Sequence, residues 1–353
     1  MKASLSDLKP FYTTENGKAY LGDSLELLKT IDGGSIDLIC TSPPFALLRK
    51  KSYGNVEAQE YVEWFLQFAR EFKRIIKPEG SIVIDIGGTW IKGQPVRSLY
   101  HFELVLKLCK PESEGGCGLN LAQELFWYNP AKLPTPAEWV TVRRVRVKDA
   151  VNTVWWLSPS PNPKASNRRV LKRYSDSQLQ LMKNGYKAKL RPSEHQISTK
   201  FNVDNGGAIP SNLIADTDYE NSIGEPVNLI SASNTSSNDI YQRRCREEGI
   251  MPHPARFPHA LPEFIINLCT EEGDTVLDPF AGSNTTGAVA ERLNRKWIAL
   301  ELNEDYLRGS KFRFPELDPK QRELKIENAG DTPENGNKQA NQQDLFSITT
   351  NGN

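Results

Sequence analysis

Cysteine and histidine are scarce in this chain. Its 353 residues include four histidines and five cysteines, the latter at Cys40, Cys109, Cys117, Cys245 and Cys269. No two cysteines have CxxC spacing and the histidines form no ligand pattern, so neither a disulfide framework nor a metal site is supported. This usage is typical of a reduced, cytoplasmic protein that binds no metal.

Long apolar runs are also missing. No stretch approaches the roughly 20 apolar residues that a membrane span needs. The N-terminal "MKASLSDLKPFYTTENGK" lacks the apolar core of a signal peptide. Apolar residues nevertheless make up 38% of the chain, enough for a sizeable core in one large domain or two medium ones. The composition indicates a soluble globular protein.

An excess of either charge is absent overall, because 44 lysines and arginines balance 44 acidic residues. Their distribution is uneven. The segment 132–200 holds 15 basic residues against four acidic ones, interleaved with Trp139, Trp155, Trp156, Tyr174 and Tyr186. Basic residues mixed with aromatic ones can contact phosphates and bases, which favours a DNA or RNA partner. The alternative is a solvated charged face.

Strand-type and helix-type apolar patterns alternate in the first third of the chain. The predicted strands are "AYLG", "SIDLICT" and "SIVIDIGG", and the predicted helices are "DSLELLKTI", "YVEWFLQFAREFKRII" and "ELVLKLC". The strands "QELFWYN" and "AVNTVWWLS" follow as an antiparallel addition. This order predicts an α/β fold with a doubly wound, mostly parallel sheet.

The alternation divides the chain into four parts. Residues 1–157 carry the first half of the sheet, and 158–250 are rich in Ser, Asn, Pro and basic residues, which predicts a loop-rich inserted region. The α/β pattern returns in 251–327 with "ALPEFIINLCT", "TVLD", "TTGAVAERLN" and "KWIALEL". Residues 328–353 have almost no apolar content, which predicts a disordered tail.

A glycine loop, "DPFAGSNTTG" at Asp278–Gly287, joins a predicted strand to a predicted helix. It lacks both the Walker pattern and GxGxxG, so it is not built around a phosphate. One glycine after an acidic residue suits a cofactor with a cationic amine and a carboxylate, and Glu301 ends the next strand, where ribose hydroxyls are bound. Together these features describe S-adenosylmethionine. A plain strand-turn-helix, with Asn284 or Thr285 as the helix cap, explains the loop equally well.

A second loop follows the strand "SIDLICT" at Ser42, Pro43, Pro44 and Phe45. Consecutive prolines impose an extended backbone without N–H groups, which leaves carbonyls and the serine hydroxyl as fixed acceptors. An aromatic ring beside such acceptors suits the exocyclic amine of a planar base that has been rotated out of a duplex. Cys40 precedes this loop, but a cysteine within an apolar strand is ordinarily a packing residue.

The two loops together identify a resemblance. "TSPPF" and "DPFAGSNTTG" resemble the amino-methyltransferases of restriction–modification systems, in the group whose catalytic motif precedes the cofactor motif. Longer stretches, among them "TSPPFALLRKKSYGN", "VKDAVNTVWW" and "HPARFPHALPEF", are similar to the PvuII-type cytosine-N4 methyltransferases over most of residues 20–310. The resemblance implies a permuted, Rossmann-like methyltransferase fold, with residues 158–250 as an inserted target-recognition domain.

The resemblance also implies roles for individual residues. Ser42, Pro43, Pro44 and Phe45 would form the catalytic pocket. The S-adenosylmethionine site would comprise Asp278, Phe280, Gly282, Ser283, Asn284, Glu301, Asp23 and Phe257. Asp23 has the alternative role of capping the following helix.

The implied activity is sequence-specific methylation of cytosine N4 in double-stranded DNA, with CAGCTG as the suggested site, protecting it from a cognate restriction endonuclease. The alternatives are adenine N6 methylation, RNA or protein-glutamine methylation, and a catalytically silent DNA-binding protein. The expected protein is a bacterial, cytoplasmic monomer that acts on the nucleoid. In the tail, Gln342, Leu345 and Phe346 of "QQDLF" resemble the peptide that docks onto the replication sliding clamp, although a chance Leu-Phe pair is the simpler explanation.

Overall fold

A computed structural model describes residues 4–46, 56–129, 132–185, 203–214, 239–256, 258–318 and 320. Its strands are β1 Tyr12–Thr13, β2 Gly17–Leu21, β3 Ile36–Thr41, β4 Ile76–Ile86, β5 Asn120–Tyr128, β6 Val151–Ser158, β7 Leu213–Ile214, β8 Thr275–Asp278 and β9 Lys296–Glu301. Its α-helices are α1 Ser24–Leu28, α2 Tyr61–Ile75, α3 Tyr100–Cys109, α4 Asp176–Asn184, α5 Ile240–Glu247, α6 Ala260–Cys269, α7 Thr285–Arg292 and α8 Glu304–Ser310. Within these ranges, no helix is long and apolar enough to cross a membrane.

The described strands form one sheet in the order β1-β2-β9-β8-β3-β4-β6-β5-β7. The strands β2, β9, β8, β3 and β4 run parallel to one another, whereas β1 is antiparallel to β2, and β6 is antiparallel to both β4 and β5. The predicted mostly parallel sheet with an antiparallel addition is therefore confirmed. The two halves of the chain interleave, because β3 from the first half lies directly beside β8 from the second.

Helices cover both faces of this sheet, as a doubly wound fold requires. On one face, α1, α2 and α3 bury Leu28, Phe65 and Leu104 against strand residues such as Ile82. On the other face, α6 and α7 pack against residues including Val83. The amphipathic α2 shows why these helices form: its buried residues recur at helical spacing, and Lys73 and Arg74 stand in its last turn, where they complement the helix dipole.

The expected target-recognition region, residues 158–250, is described in three pieces, and each contacts the sheet domain. The Ser166 amide donates to the Leu268 carbonyl at the end of α6 (2.9 Å). Strand β7 pairs in parallel with β5, the edge of the antiparallel part. Helix α5 buries Tyr241 and Cys245 against Phe312. The boundaries at 158 and 250 stay a prediction.

The close approach of β2 to β9 generates a prediction about stability. A Cβ on Gly17 would overlap the indole of Trp297, which is buried between Tyr12 and Phe314. We expect Gly17→Ala to lower the free energy of unfolding by about 2 kcal/mol, because the ring has no space to move into. Gly33→Ala is the matched control, since the nearest atom to its Cβ would be the Arg74 carbonyl oxygen at 3.4 Å. Urea-denaturation midpoints that are equal for the two variants would contradict this expectation.

Candidate active site

The two predicted loops lie side by side at the carboxyl edge of the parallel strands. "TSPPF" follows β3 and "DPFAGSN" follows its neighbour β8. The Thr41 hydroxyl donates to Asp278 Oδ1 (2.7 Å), which joins the ends of the two strands directly. The start of α1 joins the same group, because the Ser24 hydroxyl donates to the Pro279 carbonyl (2.5 Å). Doubly wound folds bind their ligands at this edge.

In the serine–proline loop, Pro43 is buried, whereas Ser42, Pro44 and Phe45 are half-buried. The Ser42 hydroxyl donates a hydrogen bond to Asp85 Oδ2 (3.0 Å). The Phe45 ring lies against Gly87, where a Cβ would come within 2.7 Å of it. The loop therefore presents a serine hydroxyl backed by a carboxylate, next to an aromatic ring.

Asp85 is a site residue that sequence reasoning missed. It lies near the end of β4, beside β3, and is only 2% exposed. Burial raises the pKa of its carboxyl group to about 7, although hydrogen bonds from Ser42 and Asn152 and the charge of Lys132 act in the opposite direction. A carboxyl group whose pKa lies near neutrality is suited to proton transfer. The available signal was one acidic residue inside the apolar run "SIVIDIGG".

Two further polar residues act on the Asp85 carboxylate: Asn152 on β6 and Lys132 in the segment that precedes β6. Asn152, which is buried, accepts a hydrogen bond through Oδ1 from the Lys132 ammonium (2.7 Å). Burial lowers the pKa of Lys132, whereas the carboxylates of Asp149 and Asp85 act in the opposite direction. This part of the site thus contains a half-buried cation close to the buried carboxylate of Asp85.

Asp278 closes the base of the glycine loop. It is 3% exposed, and its carboxylate accepts hydrogen bonds from the Thr286 hydroxyl (2.8 Å) and the Phe280 amide (3.1 Å) in addition to Thr41. Burial raises its pKa to about 6, and the negative charge of Glu301 acts in the same direction.

Glu301 and Gly282 meet across the loop. The Gly282 amide donates to Glu301 Oε2 (2.7 Å), and the Asn303 amide donates to Oε1 (2.9 Å). Burial raises the pKa of Glu301. Gly282 has φ +52°, a conformation that favours glycine, and the His253 ring from "HPARFP" lies over it, within 3.3 Å of where a Cβ would be.

The side chains of Ser283 and Asn284 bind other parts of the chain. The Arg313 guanidinium donates to the Ser283 carbonyl (2.7 Å) and hydroxyl (3.0 Å). Asn284 caps α7 by accepting from the Gly287 amide (3.1 Å), and its Nδ2 donates to the Tyr12 hydroxyl (2.9 Å). The cap that sequence reasoning offered as the alternative is present. Any role of these two residues towards a cofactor stays a prediction.

Of the remaining predicted residues, the structure describes two, Phe280 and Asp23. Phe280 is half-buried, with its ring centroid 5.0 Å from that of Phe68. Asp23 is exposed and caps α1, accepting from the Leu25 amide (2.9 Å), so its alternative role is confirmed. Phe257 of the cofactor set, and Gln342, Leu345 and Phe346 of the clamp-docking set, lie outside the described residues.

Cys40 behaves as the packing residue that the sequence predicts. It is 1% exposed in β3, and burial raises the pKa of its thiol well above the usual value. A thiol that resists ionisation is a poor nucleophile. Cys40 is therefore unsuited to act as a nucleophile in this site.

A family model described as DNA methylase matches residues 36–312. The chain belongs to the DNA methylase family. The match includes both loops and the strands that carry Asp85 and Glu301, so the site described above lies within the matched region.

Similar proteins agree with this assignment. The chain is 48% identical over 309 residues to the type II methyltransferase M.PvuII of Proteus hauseri, covering 87% of this chain and 86% of that protein. It is 26% identical over 295 residues to the DNA adenine methyltransferase YhdJ of Escherichia coli (strain K12), covering 81% and 79%. Among solved structures, the PvuII DNA methyltransferase (cytosine-N4-specific) aligns with a TM-score of 0.66 and 42% identity, covering 90% of this chain and 93% of that one.

Proposed function

We propose that this DNA methylase transfers a methyl group from S-adenosylmethionine to the N4 amine of a cytosine in double-stranded DNA, at a specific sequence. The observation that carries the proposal is the Ser42–Asp85 hydrogen bond, located one strand away from the glycine loop that begins at Asp278. An acceptor for an amine and a loop for a methyl donor thus lie at the same edge of the sheet.

The glycine loop fits S-adenosylmethionine by its charges. Asp278 is buried and Glu301 half-buried, and desolvation raises the pKa of both carboxyl groups, so a cationic ligand would stabilise their ionised forms. Glu301 ends β9, the position from which a carboxylate reaches ribose hydroxyls. When bound, the cofactor would supply an electrophilic methyl group on a cationic sulfur, and the sulfur would keep the electron pair of the broken carbon–sulfur bond.

The pocket beside Ser42 fits an extrahelical base. A cytosine has to leave the base stack before its amine can reach a half-buried hydroxyl. The Phe45 ring offers a flat apolar face, and the Ser42 oxygen can accept one N–H of the amine because its own proton is donated to Asp85. Such hydrogen bonding keeps the nitrogen lone pair directed at the methyl group, so catalysis consists chiefly of positioning and electrostatics.

The Ser42–Asp85 pair also provides a route for the proton that the reaction releases. When the amine nitrogen forms its bond to the methyl carbon, it becomes cationic and has to lose one N–H proton. The Ser42 oxygen takes that proton while its own proton passes to Asp85 Oδ2, 3.0 Å away. The serine is thereby regenerated, and the carboxylate ends protonated.

Cytosine is favoured over adenine by two observations. Serine precedes the two prolines, and the 48% identity to M.PvuII extends over 87% of the chain. The similarity to the adenine enzyme YhdJ is weaker, at 26%. Adenine N6 methylation is the second candidate, because its exocyclic amine needs the same acceptor and the same proton route.

Nucleoside analysis tests the proposed activity directly. After incubation with S-adenosylmethionine and unmethylated plasmid, mass spectrometry of the digested DNA should detect N4-methylcytosine. Ser42→Ala should lower kcat by about a hundredfold or more while cofactor affinity stays within about twofold, since the hydroxyl acts on the amine. N6-methyladenine would overturn the base assignment. Wild-type turnover by Ser42→Ala would remove the serine from the mechanism.

The acidity of Asp85 leads to a prediction about pH. Only the ionised carboxylate can accept the proton, so the rate of methyl transfer should rise with pH up to about 7 and then level off. Asp85→Asn should be slower by about a hundredfold or more and should lose this dependence. The control is Asp37→Asn, which alters a buried carboxylate at the opposite end of β3 that pairs with Lys77 (2.8 Å). Its normalised pH profile should match the wild type in single-turnover assays, and an unchanged profile in Asp85→Asn would contradict the proton route.

The proposed partners follow from the activity. We propose that methylation protects the site from a cognate restriction endonuclease, and that the protein acts as a monomer, since methylating one strand of hemimethylated DNA needs a single active site.

The C-terminal "QQDLF" generates a separate test. If it docks onto the replication sliding clamp, purified clamp should retain the wild-type protein and lose Phe346→Ala, because a short docking peptide depends on its apolar anchors. The matched control is Asn341→Ala, which alters a polar residue just before the peptide and should be retained like the wild type. Equal retention of wild type and Phe346→Ala, or none of either, would exclude docking.

A further inference from the structure

The connection between β5 and β6 is far longer than their pairing requires. β5 ends at Tyr128 and β6 begins at Val151, and the Asn129 amide donates to the Ala150 carbonyl (2.7 Å) at the base of the connection. Antiparallel neighbours are ordinarily joined by about two to five residues, and much longer connections usually have a function. Residues 132–149 of this connection form a segment termed the arm.

The arm emerges beside the pocket. Because β6 is antiparallel to β4, its first residues lie opposite the last residues of β4, with Thr153 paired to Ile86. One end of the arm is held by the hydrogen bond from Lys132 to Asn152. The other end is held by the ion pair of Asp149 with Arg97.

Arg97 and Asn152, which hold the two ends of the arm, lie next to Gly88 and Gly87, beside the Phe45 ring. The Arg97 guanidinium lies against Gly88, leaving no space for a side chain there. The preceding Gly87 contacts Phe45 in the same way, and Asn152 Oδ1 lies 3.5 Å from where its Cβ would be. Both ends of the arm therefore rest on the wall of the pocket.

The outer part of the arm is exposed along eight consecutive residues, Thr141–Lys148. Its valines are unusually open to solvent, with exposures of 70% at Val142, 50% at Val145 and 86% at Val147. They alternate with basic residues at positions 143, 144, 146 and 148. Exposed valines do little to stabilise the folded chain, whereas alternating apolar and basic side chains suit the sugar–phosphate backbone and the base stack of a duplex.

The arm is held in a defined conformation. The Arg143 guanidinium stacks on the buried Trp139 (5.2 Å) and pairs with Glu138 (3.3 Å). The Arg146 guanidinium donates to the Pro95 carbonyl (2.9 Å). Arg144 is exposed and has φ +54°, a conformation that only the surrounding structure can maintain in a residue with a side chain.

We propose that the arm enters the DNA duplex next to the extrahelical cytosine, where Val147 occupies the space that the base has left and Arg144 contacts a phosphate. The proposal rests on the proposed function, because only an enzyme that rotates its target base out of the stack creates such a space. An apolar side chain in that space prevents the neighbouring bases from closing it, as apolar wedges do elsewhere.

Val147→Ala tests the wedge, and its high exposure means that folding and cofactor affinity should be unchanged. Two duplexes serve as substrates. The first carries the unmodified recognition site, identified beforehand with the wild-type enzyme. The second is the same duplex with its target cytosine mispaired, so that the base needs less energy to leave the stack. On the paired duplex kcat/KM should fall about tenfold, and on the mispaired duplex by about twofold or less. The control Leu106→Ala, a 60% exposed residue of α3, should match the wild type on both.

Arg144→Gln tests the phosphate contact. The slope of log Kd against log salt concentration should become less steep by about one, as expected for the loss of one phosphate contact. Arg292→Gln is the control, since this arginine is also exposed but lies at the far end of α7, away from the carboxyl edge. Its salt slope should equal that of the wild type.

The outcomes distinguish the proposed function from the arm proposal. Absence of methyl transfer to any DNA by the wild type would overturn the proposed function and the arm proposal with it. An active wild type with Val147→Ala equally affected, or unaffected, on both duplexes would overturn the wedge alone. An unchanged salt slope in Arg144→Gln would overturn the phosphate contact alone. If the wedge failed as well, a protein partner would remain as the explanation for the exposed valines.

Discussion

The hydrogen bond from the Thr41 hydroxyl to the Asp278 carboxylate joins two loops that are 237 positions apart in the chain. It forms because β3 and β8 are adjacent and parallel, so both strands deliver their carboxyl ends to the same edge. The order of the two motifs along the chain is then irrelevant to the chemistry. A permuted chain produces the same site as long as these two strands remain neighbours.

Burial of carboxylates gives this edge its chemical character. Asp85, Asp278 and Glu301 are all raised in pKa by desolvation, and the charge of Glu301 adds to the effect on Asp278. A cation would stabilise the ionised forms of Asp278 and Glu301, whereas Asp85 has a half-buried lysine nearby and a hydroxyl in direct contact. One side of the edge is therefore suited to holding a charged donor, and the other to moving a proton.

Much of this architecture follows from sequence patterns. Strands and helices with strong periodicity, such as β3 and α2, were predictable because burial on one or two faces leaves a repeat in the sequence. The position of Glu301 at the end of the strand after the glycine loop was predictable from the alternating pattern. Contacts such as those of Asp85 with Ser42 were not, because a single acidic residue in an apolar strand does not reveal the register of the neighbouring strand.

The pocket lies where the parallel part of the sheet meets the antiparallel part. β4 has β3 parallel on one side and β6 antiparallel on the other. Consequently the carboxyl ends of β3 and β4 meet the amino end of β6 at this edge, which brings Asn152 close to Asp85 and places the start and end of a long connection beside the ring of Phe45. In a purely parallel sheet, the next connection would leave a strand at this edge and enter the following strand at the opposite edge. The antiparallel hairpin instead lets one segment leave and re-enter at the same edge, which gives the chain a loop anchored at both ends next to the proposed base pocket.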